Sequence, residues 1–355
     1  MRKVLILTKT NWDEPPRIRH QVTRMLKKHG YQITFIEKCS YKSFLVKERM
    51  EEGITFYSHP ELIHHQLRQS RFIQRANNAL VKFYLKKIIH NLEFDFVINF
   101  CYDYSFLPQL AGNKKIITII NDDFEAQAKL GMEKQIRLQT QATCMSSDHV
   151  LTVSYPLYDK LKTYRDNVTL FFPWSQKKYK KPKNSLDRNT VLYWGFIGRM
   201  DWPMIERIIN NTNYHYRFIG PPDRNEDKKM VDFMTRNHAN FEHIPYSAFN
   251  ELKSDDVFCS IIPYNPNKES VQACTISNKA FNLLSLGLPL VYADLRHLIE
   301  APSTVMKKNK SLEEYVDTLN FYKNNFDEVQ NDIELFLHDH YEEKRWLELE
   351  RIMNS

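Results

Sequence analysis

The chain has 355 residues, 42% hydrophobic and 26% charged, with a formal net charge of +7. This is globular composition at a length that suits two domains, each with its own core, and it excludes a disordered or low-complexity chain. Eight glycines argue against a glycine-rich array, and the five cysteines (Cys39, Cys101, Cys144, Cys259, Cys274) form no C-x-x-C pair, so neither a zinc site nor a disulfide framework is indicated.

Widely spaced cysteines in apolar runs read as buried thiols of a cytoplasmic protein. The start, Met1-Arg2-Lys3 before VLILT, is too short in its apolar run for a signal peptide, and Lys9, Asn11 and Asp13 follow at once. No run approaches the length of a membrane span. The basic excess admits an anionic partner: phosphate, a membrane surface or nucleic acid.

In chain order, an apolar β-branched strand is expected over 3–8, a turn-rich loop over 9–16 and a helix over 17–30. That helix presents Ile18, Val22, Met25 and Leu26 on one side and closes at Gly30; a strand over 32–36 completes a β-α-β unit and predicts a parallel sheet. No G-x-G-x-x-G follows the first strand, so the dinucleotide fingerprint is missing. Residues 62–92 contain Arg68, Arg71, Arg75, Lys82, Lys86 and Lys87 and no acid. At about 100° per residue the first five fall within roughly a 60° stripe. Such a stripe is either a solvated helix face or a surface attracted to anionic lipid headgroups.

Strands are expected over 95–100 and 115–120, the latter running into Asn121-Asp122-Asp123, and again over 148–154 and 169–172, with a helix over 156–164. Acids at the carboxyl end of a parallel strand enter the crevice where open α/β sheets bind ligands; an aspartate there also caps helices. Residues 176–189, with Lys177, Lys178, Lys180, Lys181 and Lys183 and few apolar side chains, read as a linker. A second α/β alternation follows, with strands over 190–197, 214–219, 241–244 and 257–263 and helices over 203–210 and 228–238.

Residues 277–294, SNKAFNLLSLGLPLVYAD, read as a helix stopped by Gly287, a turn barred from helix by Pro289, and a buried strand. Ser277 or Asn278 caps that helix and Lys279 sits in its first turn. A helix start with free N–H groups and a lysine is a seat for phosphate oxygens, though the same pattern also serves as plain architecture. Helices over 311–323, 327–338 and 341–353 end the chain. Two similar α/β halves imply an interdomain cleft, a favoured ligand site.

Several stretches then carry a family likeness. They are Trp194-Gly195-Phe196-Ile197-Gly198-Arg199, Phe218-Ile219-Gly220-Pro221, SIIPY at 260–264 and SNKAFNLLSLGLPLV, with Arg17-x-Arg19-His20-Gln21, Asn121-Asp122-Asp123 and DHVLTVSYPL at 148–157 in the first half. In this order and spacing the chain resembles the GT-B glycosyltransferases, in particular the bacterial polysaccharide-type enzymes related to glycosyltransferase family 4.

The resemblance implies a GT-B architecture, two Rossmann-like domains facing each other across a cleft. The first, 1–175, would bind the acceptor and the second, 190–338, the donor, with 176–189 as linker and 339–355 crossing back to the first domain. It implies metal-independent transfer of a hexosyl group from a nucleotide diphosphate sugar, a UDP-sugar by family prior, to a glycan or lipid-linked acceptor in surface polysaccharide synthesis. No cofactor is implied, the nucleotide sugar being a substrate, and no nucleic acid. The expected place is the cytoplasm, peripheral on the inner face of the membrane through Arg68, Arg71, Arg75, Lys82 and Lys86.

Residue by residue, the likeness makes Lys279, Ser277, Asn278 and Arg199 ligands of the donor diphosphate, and Asn282 and Tyr264 ligands of ribose or base. Asp122 or Asp123 would be the general base of an inverting reaction. Arg17, Arg19, His20, Tyr102 and Asp103 would bind the acceptor. The family often has a glutamate where Asn282 stands, and its partner acid falls at Cys274. This departure opens a second reading, a catalytically silent GT-B protein that binds or scaffolds.

Overall fold

The computed structural model describes residues 1–14, 17–38, 45–64, 70–128, 130–182, 187–268, 271, 278–295 and 299–355. The chain divides into two compact units, Met1–Phe172 with Trp346–Ser355, and Pro173–Arg345.

The first unit carries strands β1 (Lys3–Leu7), β2 (Gln32–Ile36), β3 (Lys47–Glu51), β4 (Ile54–Ser58), β5 (Phe96–Asn99), β6 (Lys115–Ile120), β7 (His149–Thr152) and β8 (Val168–Leu170). Their order is β3-β4-β2-β1-β5-β6-β7-β8, parallel throughout except for β3 against β4. The central strands are apolar on both faces because helices cover both, as βαβ crossovers require. Chain order runs outward from β1 through β2 to β4, then returns to β5 and runs outward the other way. The reversal makes a crevice at the carboxyl ends of β1 and β5, the position where open α/β sheets take ligands.

Helices α1 (Ile18–Lys28), α2 (Arg71–Ile89), α3 (Pro108–Ala111), α4 (Glu133–Met145) and α5 (Tyr155–Lys162) complete this unit. Helix α2 starts where the Ser70 hydroxyl accepts from the Phe72 amide, and it buries Val81, Leu85, Ile88 and Ile89 against Leu5, Leu7 and Val97. The β3–β4 hairpin and α4 have no counterpart among the expected elements. The hairpin turns at Glu52-Gly53, both at positive φ (50° and 71°), which suits a two-residue hairpin loop. Its edge strand KERME is charged and mostly exposed, so it lacks the apolar alternation of a half-buried strand.

The second unit carries β9 (Thr190–Trp194), β10 (His215–Ile219), β11 (Phe241–Ile244), β12 (Val257–Ile262), β13 (Leu290–Ala293) and β14 (Met306–Asn309), with helices α6 (Trp202–Asn210), α7 (Asn225–Asn237), α8 (Asn278–Ser285), α9 (Leu312–Asn324) and α10 (Val329–His338). The order β11-β10-β9-β12-β13-β14 is parallel throughout, with a reversal between β9 and β12. The lysine-rich stretch after residue 175 lies on this unit: Lys180 N–H donates to the Ser285 carbonyl and Tyr179 N–H to the Tyr341 hydroxyl. The last helix, α11 (Glu342–Asn354), places Trp346 on the first unit, stacked on His29 with ring centroids 3.7 Å apart.

Candidate functional site

At the β9/β12 reversal, residues 195–201 form a loop stapled on both sides. On one side Ile197 N–H donates to the Pro221 carbonyl and Asp223 N–H to the Ile197 carbonyl; on the other Asn265 N–H donates to the Arg199 carbonyl and Asp201 N–H to the Pro263 carbonyl. The loop starts at Gly195, whose carbonyl oxygen would lie 1.8 Å from a β-carbon on Gly220; Gly220 also holds φ at 145°. Only glycine lets the two strand ends approach so closely. Arg199 sits exposed on this loop with φ at 65°, a left-handed conformation that turns the backbone back toward β12.

Lys279, in the first turn of α8, reaches the same edge. Its Nζ donates to the Tyr264 hydroxyl at 2.8 Å and to the Tyr193 hydroxyl at 3.3 Å, and it lies 4.7 Å from the centroid of the Tyr193 ring. The Tyr193 hydroxyl donates onward to the Phe196 carbonyl. A β-carbon on Gly195 would approach Lys279 Nζ to 3.1 Å, so the glycine also makes room for the ammonium. Phenol hydroxyls and ring faces orient a cation without neutralising it. The structure therefore brings together Lys279, Tyr264 and the loop that carries Arg199, and adds Tyr193, which sequence reasoning missed because an aromatic inside a buried strand reads as core.

Ser277 lies outside the described residues, and Asn278 opens α8. Asn282 is buried, and its side-chain oxygen accepts from the Gln176 amide at 3.4 Å.

In the first unit the β1/β5 reversal holds a buried ion pair, Lys9 Nζ to Asp103 Oδ2 at 2.5 Å. The ammonium sits between the rings of Tyr102 and Tyr104, 5.6 and 5.2 Å from their centroids. Tyr102 and Asp103 are thus buried and engaged with Lys9, a residue the sequence reading left in a loop. His20 is buried too. Its Nδ1 accepts from the Arg17 amide at 3.0 Å, which leaves Nε2–H to donate to the Trp12 carbonyl at 3.1 Å. Burial pushes its pKa down to about 4, so the ring is neutral at pH 7. Arg17 is exposed just before α1, and Arg19 is buried one residue into it.

The two aspartates after β6 have different surroundings. Asp123 Oδ1 accepts from the Ala126 amide at 3.1 Å, as a cap does, and from Lys160 Nζ at 2.9 Å. Lys160 also pairs with Glu125 at 2.8 Å; burial opposes its charge, but the hydrogen bonds of Glu125 and Asp123 outweigh that and raise its pKa. Asp122 accepts from the side-chain amides of Asn121 at 3.1 Å and Gln127 at 3.3 Å.

Of the basic stripe, Arg68 lies outside the described residues and Arg71 opens α2. Arg75 and Lys86 are exposed and Lys82 is half-buried, donating to Gln109 Oε1. Phe72 and Phe83 are 79% and 62% exposed, because α2 turns Val81, Leu85 and Ile88 to the core. Among the described residues no helix is long and apolar enough to cross a membrane, and no cluster of three metal-ligating side chains occurs. A cavity of about 780 Å³ opens at the opposite, amino end of this sheet, lined by Lys3, Lys86, His90 and Lys114 among others, away from the β1/β5 reversal.

The sequence matches no protein-family model and no curated protein. The structure is similar to solved glycosyltransferases over nearly its whole length. Sucrose-phosphate synthase from Thermosynechococcus elongatus is 8% identical with a TM-score of 0.72, covering 100% of this chain and 98% of that one. The trehalose-6-phosphate structure from E. coli bound with UDP-2-fluoro glucose is 8% identical with a TM-score of 0.70, covering 99% of each chain. The lipopolysaccharide outer core galactosyltransferase WaaB is 12% identical with a TM-score of 0.67, covering 98% of each. The chain thus has the GT-B fold, with two parallel-sheet Rossmann-like units.

Proposed function

We propose that this protein transfers a sugar, a hexosyl group, from a UDP-sugar to a glycan or lipid-linked acceptor in surface polysaccharide synthesis. The single observation that carries this reading is the Lys279 ammonium at the β9/β12 reversal, held by two tyrosine hydroxyls and paired with no carboxylate among the described residues. A half-buried cation without a counter-ion is a poor stabilising device and a good receptor for a diphosphate. Arg199 on the adjoining loop is the second cation, and the amides at the start of α8, with Ser277 and Asn278, add donors. Neutralisation of the departing diphosphate by these groups makes the reaction independent of a metal ion. Among the structural neighbours, one is bound with UDP-2-fluoro glucose, which supports uridine as the base.

The first unit takes the acceptor along the β1/β5/β6 edge. Asp122 is the stronger candidate for general base in an inverting reaction, because Asp123 is committed to Lys160 and to its cap. Helix α2, with Phe72 and Phe83 exposed among Arg75, Lys82 and Lys86, supports a peripheral position on an anionic membrane surface. The linker assignment for 176–189 and the return of the C-terminal tail belong to the same reading.

The test is a melting-temperature panel of UDP, UDP-glucose, UDP-galactose and UDP-N-acetylglucosamine, followed by donor hydrolysis and transfer assays. Binding without turnover on any acceptor would favour the catalytically silent reading, which Asn282 supports: it is buried against the Gln176 backbone at the position of the family glutamate. Failure to bind any nucleotide diphosphate would sink both.

A further inference from the structure

Arg19 is 5% exposed, yet its Nε and Nη2 atoms are buried with no hydrogen-bond partner among the described residues. Buried guanidinium groups are ordinarily paired, since an unpaired donor forfeits its hydration and a charge forfeits more. The two orphaned atoms form one edge of the guanidinium, the edge that makes two parallel bonds to an oxyanion. The residue lies in the first turn of α1, an 11-residue helix whose amino end carries partial positive charge. Its electrostatic neighbours are Arg17, Glu14, Asp122 and Cys101, which place it at the carboxyl edge of the first sheet. Burial, and then Arg17, lower its pKa to about 10, so it is charged at neutral pH.

The same edge holds two more orphans, Asn121 Oδ1 and Thr152 Oγ1, one residue past the end of β6 and at the end of β7. An acceptor oxygen and a hydroxyl on the same sheet edge as a guanidinium suit a ligand with both an anionic group and hydroxyls. Asp122 opposes an anion, and the Asn121 and Gln127 side-chain amides orient its carboxylate without removing its charge. Glu14 opposes it too, and Arg17 offsets that charge.

We propose that Arg19 is the seat of an oxyanion, a phosphate or carboxylate, carried by a polyhydroxylated acceptor bound at the edge of the first sheet. The proposal rests on the reading of this unit as the acceptor domain and names the chemical class of that acceptor. The anion on Arg19 lays the hydroxyl-bearing part of the ligand along the strand ends toward Asp122.

The test titrates wild type, Lys279→Ala and Arg19→Met with inorganic phosphate, glucose 6-phosphate and glucuronate, and separately with UDP, following melting temperature and heat of binding. Glucose 6-phosphate against glucuronate distinguishes phosphate from carboxylate. At least one anion is expected to bind wild type and Lys279→Ala alike and to bind Arg19→Met about tenfold or more weakly. Unliganded Arg19→Met is expected to melt at or above wild type, since no bond is lost and a buried charge is removed. Absence of any anion response in wild type, equal affinity in Arg19→Met, or a destabilised Arg19→Met that still binds the anion as wild type does would each overturn the proposal. If Arg19→Met does not fold, Arg19→Lys decides: weakened binding supports the seat and unchanged binding refutes it. The UDP arm reports on the second unit, so loss of nucleotide binding with anion binding intact would remove the donor reading and leave the Arg19 seat standing.

Discussion

Lys279 Nζ donates to the Tyr264 hydroxyl at 2.8 Å, and the two residues belong to different elements, α8 and the loop after β12. The contact points the ammonium at the β9/β12 reversal and leaves its charge uncompensated among the described residues. Tyr193 holds the same ammonium from β9, so three elements converge on one cation.

If that cation receives the diphosphate, Lys279→Ala weakens UDP binding by about 10- to 100-fold, the worth of one or two charge-assisted hydrogen bonds. Tyr264→Phe keeps the ring and removes the anchor, so its effect is smaller and falls on the donor KM. Calorimetric titration of UDP measures both, and wild-type affinity in Lys279→Ala would show the lysine to be architectural.

The two aspartates after β6 separate by kinetics. Asp122→Asn is expected to reduce kcat about 100-fold or more for an inverting reaction, with little change in donor affinity. Asp123→Asn keeps a capping oxygen and loses only a partly exposed ion pair, so its effect is about 1 kcal/mol of stability or less with kcat nearly intact. A large kcat loss at Asp123 and none at Asp122 would reverse the assignment.

Helix α2 presents phenylalanines and cations to the same side. Arg75→Glu with Lys86→Glu is expected to abolish sedimentation with phosphatidylglycerol vesicles, and Phe72→Ser with Phe83→Ser to weaken it even at low salt. Binding insensitive to both pairs would mark the face as merely solvated.

Stability should fall on acidification. His20 is buried and His340 half-buried, and the loss of hydration drops each pKa from 6.5 to about 4; at His340, Arg345 adds to the effect. The unfolded chain takes up these protons below pH 6.5 while the folded chain does not until about pH 4. Their contribution is therefore complete above the unfolded pKa and lost as pH falls through the folded one, on the order of a few kcal/mol together. Urea midpoints at pH 7 and pH 4.5 measure the loss, and His20→Gln should flatten the profile.

Most strands of both sheets were legible because a strand buried on both faces is an apolar run, as in KIITII or VFCSII. Lys279 was legible because Gly287 and Pro289 fix where its helix ends. Helix α4, EKQIRLQTQATCM, was not, since glutamine and threonine blur its apolar stripe. Nor was β14, whose MKKN carries two lysines on a sheet edge. The burial of Arg19 was equally hidden, since an arginine among basic neighbours at a helix start reads as solvated.

By itself, then, the sequence determined the alternation of helix and strand and the place of Lys279 at the start of α8, because each rests on local periodicity and turn chemistry. Tertiary structure decided the rest. Strand order brings Lys9 to Asp103 and Lys279 to Tyr193, pairs 94 and 86 residues apart, which no local pattern encodes. Packing of Val81 and Leu85 into the core chose which side of α2 faces out. The close approach of β1, β5 and β6 at one edge buried a guanidinium that the sequence showed only as one basic residue among several.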